Sequence, residues 1–232
     1  MNNRPYISDG EARELICELG ARAYEKGLVC AVDGNISLKV ADDQIWATPT
    51  GVSKGHMRPD MLVKMSLDGA IIRMGERGPS SEIKMHLRVY RENPDVRSVI
   101  HTHPPYGTAY AIAGKALDTA LLAENVTFLG VIPCAPYATP GTQEVPDSVA
   151  PFCRDYNGCF LGNHGVLTWG DYPEEAFYRL ESLEHACRIG VILNGPLRQI
   201  TPLSEKDVQT LYAIRDSLGY TRGGTLKIAE TT

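Results

Sequence analysis

The sequence predicts an α/β fold in which helices flank a largely antiparallel sheet. Three observations carry this. β-type segments come in pairs joined by turn residues, Asp42-Asp43 and Asp68-Gly69, which is how hairpins read. Helical periodicity falls in separate stretches with capping signals of their own. The regular strand–helix alternation of a doubly wound fold is missing, as are a Gly-x-Gly-x-x-Gly and a phosphate-loop Lys-Ser/Thr.

In order along the chain, Ser8-Asp9-Gly10-Glu11 has capping-box spacing. Leu15, Ile16, Leu19 and Ala23 follow at helical intervals, so a first helix is expected to about Lys26, stopped by Gly27. Strands are expected at 35–40 and 44–48, then at 61–67 and 70–74. Ser80 or Ser81 is placed to cap a helix that runs to Asn93-Pro94. Residues 96–102 read as the clearest strand, with a helix over 104–113 after it. A strand at 126–134, a turn-rich loop at 136–141 and a helix at 143–155 come next. Residues 158–169 alternate like a strand, and 173–193 form a long helix with Pro173 in its first turn. Ser204 opens a last helix, and the glycine-containing tail, 219–232, is expected to be mobile.

At 232 residues, with no stretch of linker composition, the chain is expected to form a single domain across 1–232. Its apolar fraction of 43% and charged fraction of 22% are those of an ordinary globular protein. A net charge of −5 leaves no footprint for nucleic acid or an anionic membrane surface as partner. An anionic small molecule is still compatible, because a few local donors suffice for a phosphate. The N-terminus lacks the apolar run of a signal peptide, and no stretch is apolar for long enough to span a bilayer. Cys17, Cys30, Cys134, Cys153, Cys159 and Cys187 contain no Cys-x-x-Cys pair and read as unpaired thiols, so cytoplasmic residence is the expectation.

His101-Thr102-His103 closes a predicted strand, where residues i and i+2 share a face. Both imidazoles can therefore reach one ion, or they are two hydrogen-bonded histidines in a core or on a wet surface. A catalytic zinc usually takes three protein ligands, and the best third candidate is His164, set between Gly162 and Gly165. The bland alternative for His164 is a loop residue. His56, His86 and His185 read as packed or solvated, with His86, four residues after Glu82 on the same helical face, available to orient it.

Pro79-Ser80-Ser81-Glu82 puts hydroxyls, backbone donors and a carboxylate at one helix start. It reads equally as an ordinary helix N-terminus. Gly34-Asn35-Ile36-Ser37 and Thr48-Pro49-Thr50-Gly51 resemble anion cradles, though each alone is indistinguishable from a turn.

Taken together, these segments, with Pro133-Cys134-Ala135-Pro136-Tyr137-Ala138 and Asn163-His164-Gly165, resemble the class II aldolase/adducin family over roughly residues 10–195. Within the family the likeness is to its fuculose-phosphate-aldolase-like members. The resemblance implies a three-layer α/β/α sandwich around a mainly antiparallel sheet, assembled as a homotetramer with sites near subunit interfaces. It implies one zinc ion per chain, replaceable by other divalent metals, on His101, His103 and His164. Glu82 is implied as the acid/base, and Asn35, Thr50, Gly51, Ser80 and Ser81 as the phosphate pocket. The implied reaction is reversible cleavage of a ketose 1-phosphate, such as fuculose 1-phosphate or a deoxy- or methylthio-pentulose 1-phosphate, to dihydroxyacetone phosphate and an aldehyde.

The pattern departs from the family at the proton donor to the aldehyde oxygen. A family tyrosine aligns with Leu122; Glu124, two residues on, or Tyr220 in the tail is a candidate substitute. Leu122 suits an aldehyde with a less polar end. The sugar-phosphate 4-epimerases carry an aspartate where this chain has Val126. A metal-dependent decarboxylase of the same fold, and a metal-free adducin-like interaction module, are the remaining alternatives. Retention of the three histidines and Glu82 speaks against the last of these.

Overall fold

The structure is a computed structural model that describes residues 5–197 and 200–229. Ser8 and Glu11 form the capping box, each side chain accepting the other's backbone N–H, and α1 runs over Asp9–Glu25. β1 (Asn35–Ala41) and β2 (Gln44–Ala47) pair antiparallel across Asp42-Asp43. β3 (Val63–Ser66) and β4 (Ile71–Arg73) do the same across Asp68-Gly69, where the turn residues put the bend. Then follow α2 (Ile83–Glu92), β5 (Ser98–Thr102), α3 (Pro105–Ile112), β6 (Thr119–Ala120), β7 (Cys134–Ala135) and α4 (Glu144–Val149). β8 (Gly158–Leu161), β9 (Gly165–Gly170), α5 (Glu175–Ile192), α6 (Glu205–Ser217) and β10 (Lys227–Ile228) complete the order.

Eight strands form one sheet in the order β4-β3-β2-β1-β5-β9-β8-β7. Every pairing in it is antiparallel except β7 with β8. Alternate residues feed two cores, as the period of two along a strand requires. Ile36, Leu38, Trp46, Ile100, Phe160 and Val166 pack under α1, α3 and α5. Ile45, Ala47, Val99, Leu161, Leu167 and Trp169 pack under α2 and α4. The result is the three-layer α/β/α sandwich. All six cysteines are free thiols, and no helix among the described residues is long and apolar enough to cross a membrane.

Four expectations need correction. Residues 126–134 are not a strand: Asn125–Leu129 forms a wide helical turn, and only Cys134–Ala135 pairs as strand. Val126 packs in one apolar cluster and Leu129 and Ile132 in another, so the buried residues of this stretch turn to different sides rather than lining one pleated face. Residues 158–169 are two strands, because Gly162-Asn163-His164 turns the chain between β8 and β9. The helix expected over 143–155 stops at Val149, and a short 3-10 turn carrying Pro151 follows. Neither Ser80 nor Ser81 is the N-cap of α2: Glu82 holds that position without a capping side-chain bond, and Ser80 Oγ instead accepts the Glu82 N–H at 3.3 Å.

The tail beyond Gly219 lies against the body as far as Ala229. Leu226 is buried, β10 pairs in parallel with β6, and the Gly223 carbonyl accepts the Val131 N–H at 2.7 Å. Residues 230–232, the last of the tail expected to be mobile, lie outside the described residues.

Candidate functional site

β5 ends at Thr102, so His101 and His103 leave the sheet on the face covered by α2. β9 is the antiparallel neighbour of β5, and the β8–β9 turn brings His164 back beside them. The three rings lie with centroids 4.7–4.9 Å apart. One ring nitrogen from each falls within 4.8 Å of the others. Close approach depends on a missing side chain, since a Cβ on Gly165 would sit 2.5 Å from the His103 ring and 2.6 Å from the Thr102 carbonyl.

The hydrogen bonds settle which nitrogens face inward. His101 Nδ1 lies 2.8 Å from the Val166 carbonyl, so it must be the donor and Nε2 carries the lone pair. His103 Nδ1 lies 3.5 Å from the Asp33 carboxylate, which selects the same tautomer. His101 Nε2 and His103 Nε2 are then 3.0 Å apart with lone pairs facing each other. A cation between them removes that repulsion. The donor set, three imidazoles with outer partners that fix the orientation of His101 and His103, therefore fits a divalent metal ion.

Glu82, at the α2 N-cap, reaches into this cluster. Its Oε1 lies 3.1 Å from His164 Nε2 and its Oε2 3.6 Å from His101 Nε2. Asn35, first residue of β1, donates from Nδ2 to Glu82 Oε2 at 3.1 Å and to Ser80 Oγ at 3.3 Å. Burial pushes the Glu82 carboxyl up, but the hydrogen bonds from His164 and from the Asn35 amide outweigh it and hold it below its ordinary value. The carboxylate is thus ionised. Burial, opposed by the Glu82 carboxylate, holds His101 down at about 3, so its ring is neutral.

His86 does not touch Glu82 directly. It is fully buried, with Nε2 2.6 Å from Asn35 Oδ1 and Nδ1 2.8 Å from Ser37 Oγ. Ser37 Oγ lies 2.9 Å from the Tyr90 hydroxyl, so a polar chain runs Tyr90–Ser37–His86–Asn35–Glu82 through the layer between sheet and α2. Because Asn35 Oδ1 can only accept, His86 is the donor there, and the amide nitrogen of Asn35 is thereby aimed at Glu82.

Thr50 and Gly51 join the same end of the sheet. Pro49 and Pro79 form an antiparallel bridge, and the Thr50 N–H donates to the Gly78 carbonyl at 2.9 Å. The Thr50-Gly51 turn and the segment leading into Ser80-Ser81, both expected in the phosphate pocket, are therefore held side by side. Gly51 has φ +66, a conformation in which a side chain is strained, and the Arg77 guanidinium donates to its carbonyl at 3.4 Å. Ser81 is exposed and lines, with Ser80 and Lys84, a cavity of about 460 Å³.

The substitutes considered for the missing tyrosine lie apart from the cluster within this chain. Glu124 is exposed at the start of the 125–129 turn, and among the described residues no hydrogen bond or ion pair joins it to the histidines. Tyr220 packs edge-on against Phe128 and faces the charges of Glu175 and Arg179, at the Gly170 end of β9, opposite His164. Leu122 packs on the α1–α5 core, and Val126 is buried in an apolar cluster with Ala120, Val208 and Leu226. Sequence reasoning missed Asp33 and Tyr90, and it read Ser37 as part of an anion cradle where the structure bonds it to His86 and Tyr90. Asp33 directly precedes the Gly34-Asn35 motif, and extending that motif by one residue would have found it.

Related chains are known. Residues 14–191 match the family described as the class II aldolase and adducin N-terminal domain. A 3-oxo-tetronate 4-phosphate decarboxylase from Escherichia coli is 31% identical over 195 residues, covering 82% of this chain and 91% of its own. A 5-deoxy-D-ribulose 1-phosphate aldolase from Bacillus thuringiensis is 34% identical over 179 residues, 76% of this chain and 83% of its own. The solved structure of an L-fuculose 1-phosphate aldolase superposes with a TM-score of 0.79 at 26% identity, covering 90% of this chain and 97% of that one. The chain belongs to the class II aldolase and adducin N-terminal domain family.

Proposed function

We propose that this chain is a metal-dependent carbon–carbon lyase that produces dihydroxyacetone phosphate, acting as an aldolase on a ketose 1-phosphate. The observation that carries this reading is the convergence, at one sheet end, of three imidazoles, a carboxylate and two donor-rich segments, Ser80-Ser81 bonded to Asn35 and Thr50-Gly51 joined to it by the Pro49–Pro79 bridge. A divalent ion on His101, His103 and His164, zinc by the preference of a three-imidazole set, would lend Lewis acidity to the carbonyl and adjacent hydroxyl oxygens.

The chain's own residues do the rest. Thr50, Gly51, Ser80 and Ser81 offer hydroxyl and amide donors to the phosphate, and this remote binding orients the reacting carbons. In cleavage the hydroxyl on the fourth carbon loses its proton, and the bond between the third and fourth carbons breaks. The hydroxyl proton leaves to solvent water, the electron pair is delocalised as the enediolate, and Glu82, ionised at rest, takes up a proton from solvent and delivers it to the third carbon. In condensation the Glu82 carboxylate removes that proton, its basicity rising as the site closes around the substrate and excludes water.

A second reading has a specific observation in its favour. Loss of carbon dioxide from 3-oxo-tetronate 4-phosphate leaves the same enediolate, yet needs no group to manage a proton on a departing aldehyde oxygen. Leu122 is apolar, and neither Glu124 nor Tyr220 reaches the histidines within the chain. The decarboxylase among the relatives agrees with that reading. We also infer a homotetramer, as the family resemblance implies, in which a neighbouring subunit could supply the missing acid; light scattering tests this.

The deciding experiment measures metal content, then two reactions on the same preparation. Condensation of dihydroxyacetone phosphate with short aldehydes supports the aldolase. Carbon dioxide release from 3-oxo-tetronate 4-phosphate without condensation moves the assignment to the decarboxylase. Protein purified without chelator that carries no metal and performs neither reaction overturns both.

A further inference from the structure

Lys54 is 1% exposed and has had no part in the chemistry so far. Its ammonium donates to the Val32 carbonyl at 2.9 Å and to the Val52 carbonyl at 2.6 Å. These acceptors belong to different loops. Val32 lies in the loop that leads into β1, beside Asp33, which faces His103, and just before Asn35, which bonds Glu82. Val52 follows the Thr50-Gly51 turn directly.

Both loops need outside support. Ala31 sits at φ 48, a left-handed conformation rare for a residue with a side chain, and Gly51 at φ +66. The segment that carries Lys54 is itself fixed to α1. A Cβ on Gly20 would lie 2.6 Å from the Lys54 carbonyl, and one on Gly55 would lie 2.6 Å from the Tyr24 ring, so two glycines let the backbones meet. Burial drives the Lys54 ammonium down to about 8, against the pull of the Asp33 and Glu82 carboxylates.

Lys39 supplies the contrast. It is also buried, at 3% exposed, but its ammonium donates to a single carbonyl, that of Pro94, beyond the far end of the site. Both lysines meet the cost of burial, and only one of them bridges two loops of the site.

We propose that Lys54 is a positioning residue that holds the Asp33 loop and the Thr50-Gly51 turn in one register, setting the separation between the metal end and the anion end of the site. The proposal rests on the reading of that site as one for a metal ion and a phosphate.

The test compares the full chain with its Lys54→Met and Lys39→Met variants by hydrogen exchange, zinc affinity against a competing chelator, and titration with inorganic phosphate. In Lys54→Met, amides in 30–34 and in 48–52 are expected to exchange faster together, and zinc and phosphate affinities to fall by about tenfold, the scale of losses when outer supports of a metal site are removed. Lys39→Met is expected to lose thermal stability while both loops and both affinities stay as in the wild type. Loosening of one loop alone or of neither, or equal effects from the two variants, overturns the proposal. Should Lys54→Met fail to fold, Lys54→Arg carries the same test, and loss of protection in one loop alone overturns it. Wild-type protein that binds zinc but no phosphate would instead break the reading of the anion end, and the paired exchange of the two loops would still judge Lys54.

Discussion

The end of the central sheet and the edge unit built from β6, residues 125–129, α6 and β10 are held together in opposite ways. At the sheet end, polar groups are fixed by one another, as in the chain from Tyr90 through Ser37, His86 and Asn35 to Glu82. The edge unit rests on a small apolar cluster of Ala120, Val126, Val208 and Leu226, with the Gly130 and Gly223 backbones in close contact. A network of directed bonds tolerates little change, whereas an apolar cluster accepts any set of side chains of similar volume. The difference teaches where a substitution should break the structure and where it should be absorbed: the first at the sheet end, the second in the edge unit.

The largest expected effect comes from breaking the sheet end outright. His103→Ala removes one of three nitrogens, so bound metal should fall well below about one ion per chain. Activity should drop by roughly a thousandfold or more, since metal assistance accounts for several kcal/mol of barrier lowering. Metal analysis and steady-state rates on the same preparation check this. Full activity with no metal would show that the histidines are a structural cluster.

Glu82→Gln separates proton transfer from metal binding. Gln keeps the length and an acceptor for the Asn35 amide but cannot take a proton. Turnover is expected to fall by about 10²–10⁴-fold, the usual share of a positioned acid or base, with metal content unchanged. A loss of metal equal to the loss of rate would mean that Glu82 serves the ion rather than the substrate.

A smaller effect is expected at the edge unit, and it sharpens the choice between the two reactions. Leu122→Tyr restores the residue type that the family resemblance puts at this position. If aldehyde release is limited by a missing donor, ketose 1-phosphate cleavage should rise by about tenfold, below the full contribution of an optimally placed acid. Decarboxylation should stay unchanged. An equal effect on both reactions would remove the argument from proton supply.

These two regions also differ in how well the sequence announces them. His101 and His103 were legible because a period of two on a strand leaves no choice of face, and Glu82 because it follows two serines at a helix start. The hairpins at Asp42-Asp43 and Asp68-Gly69 and the capping box at Ser8 were equally plain, each being a local rule with a local cause. The stretch 126–134 was misread because a short run dense in apolar residues, Val126, Phe128, Leu129, Val131 and Ile132, does not separate strand from helical turn, and its turn is stabilised by distant partners, Val208 and Leu226. Ser37 and Lys54 carry no periodic signature, and only the pairing of β1 with β5 and the packing on α1 bring them to the site.

The last effect expected is on stability rather than rate, a pH dependence that reports how completely the sheet end is organised. Burial lowers His86 to about 3 from an ordinary value of 6.5, so the folded chain holds it neutral where the unfolded chain is protonated. Between those values the unfolded state binds the extra proton. Stability therefore rises with pH through that window and is lost as pH falls below 6.5, by about 1.4 kcal/mol per unit for each such group. His86→Gln can still donate an amide N–H to Asn35 Oδ1 while removing the titration. Urea unfolding of the two proteins across this window should then differ in slope by one proton, with the variant the flatter. Identical slopes would mean that His86 takes up its proton without unfolding, and the polar chain behind Glu82 would then be looser than its short hydrogen bonds imply.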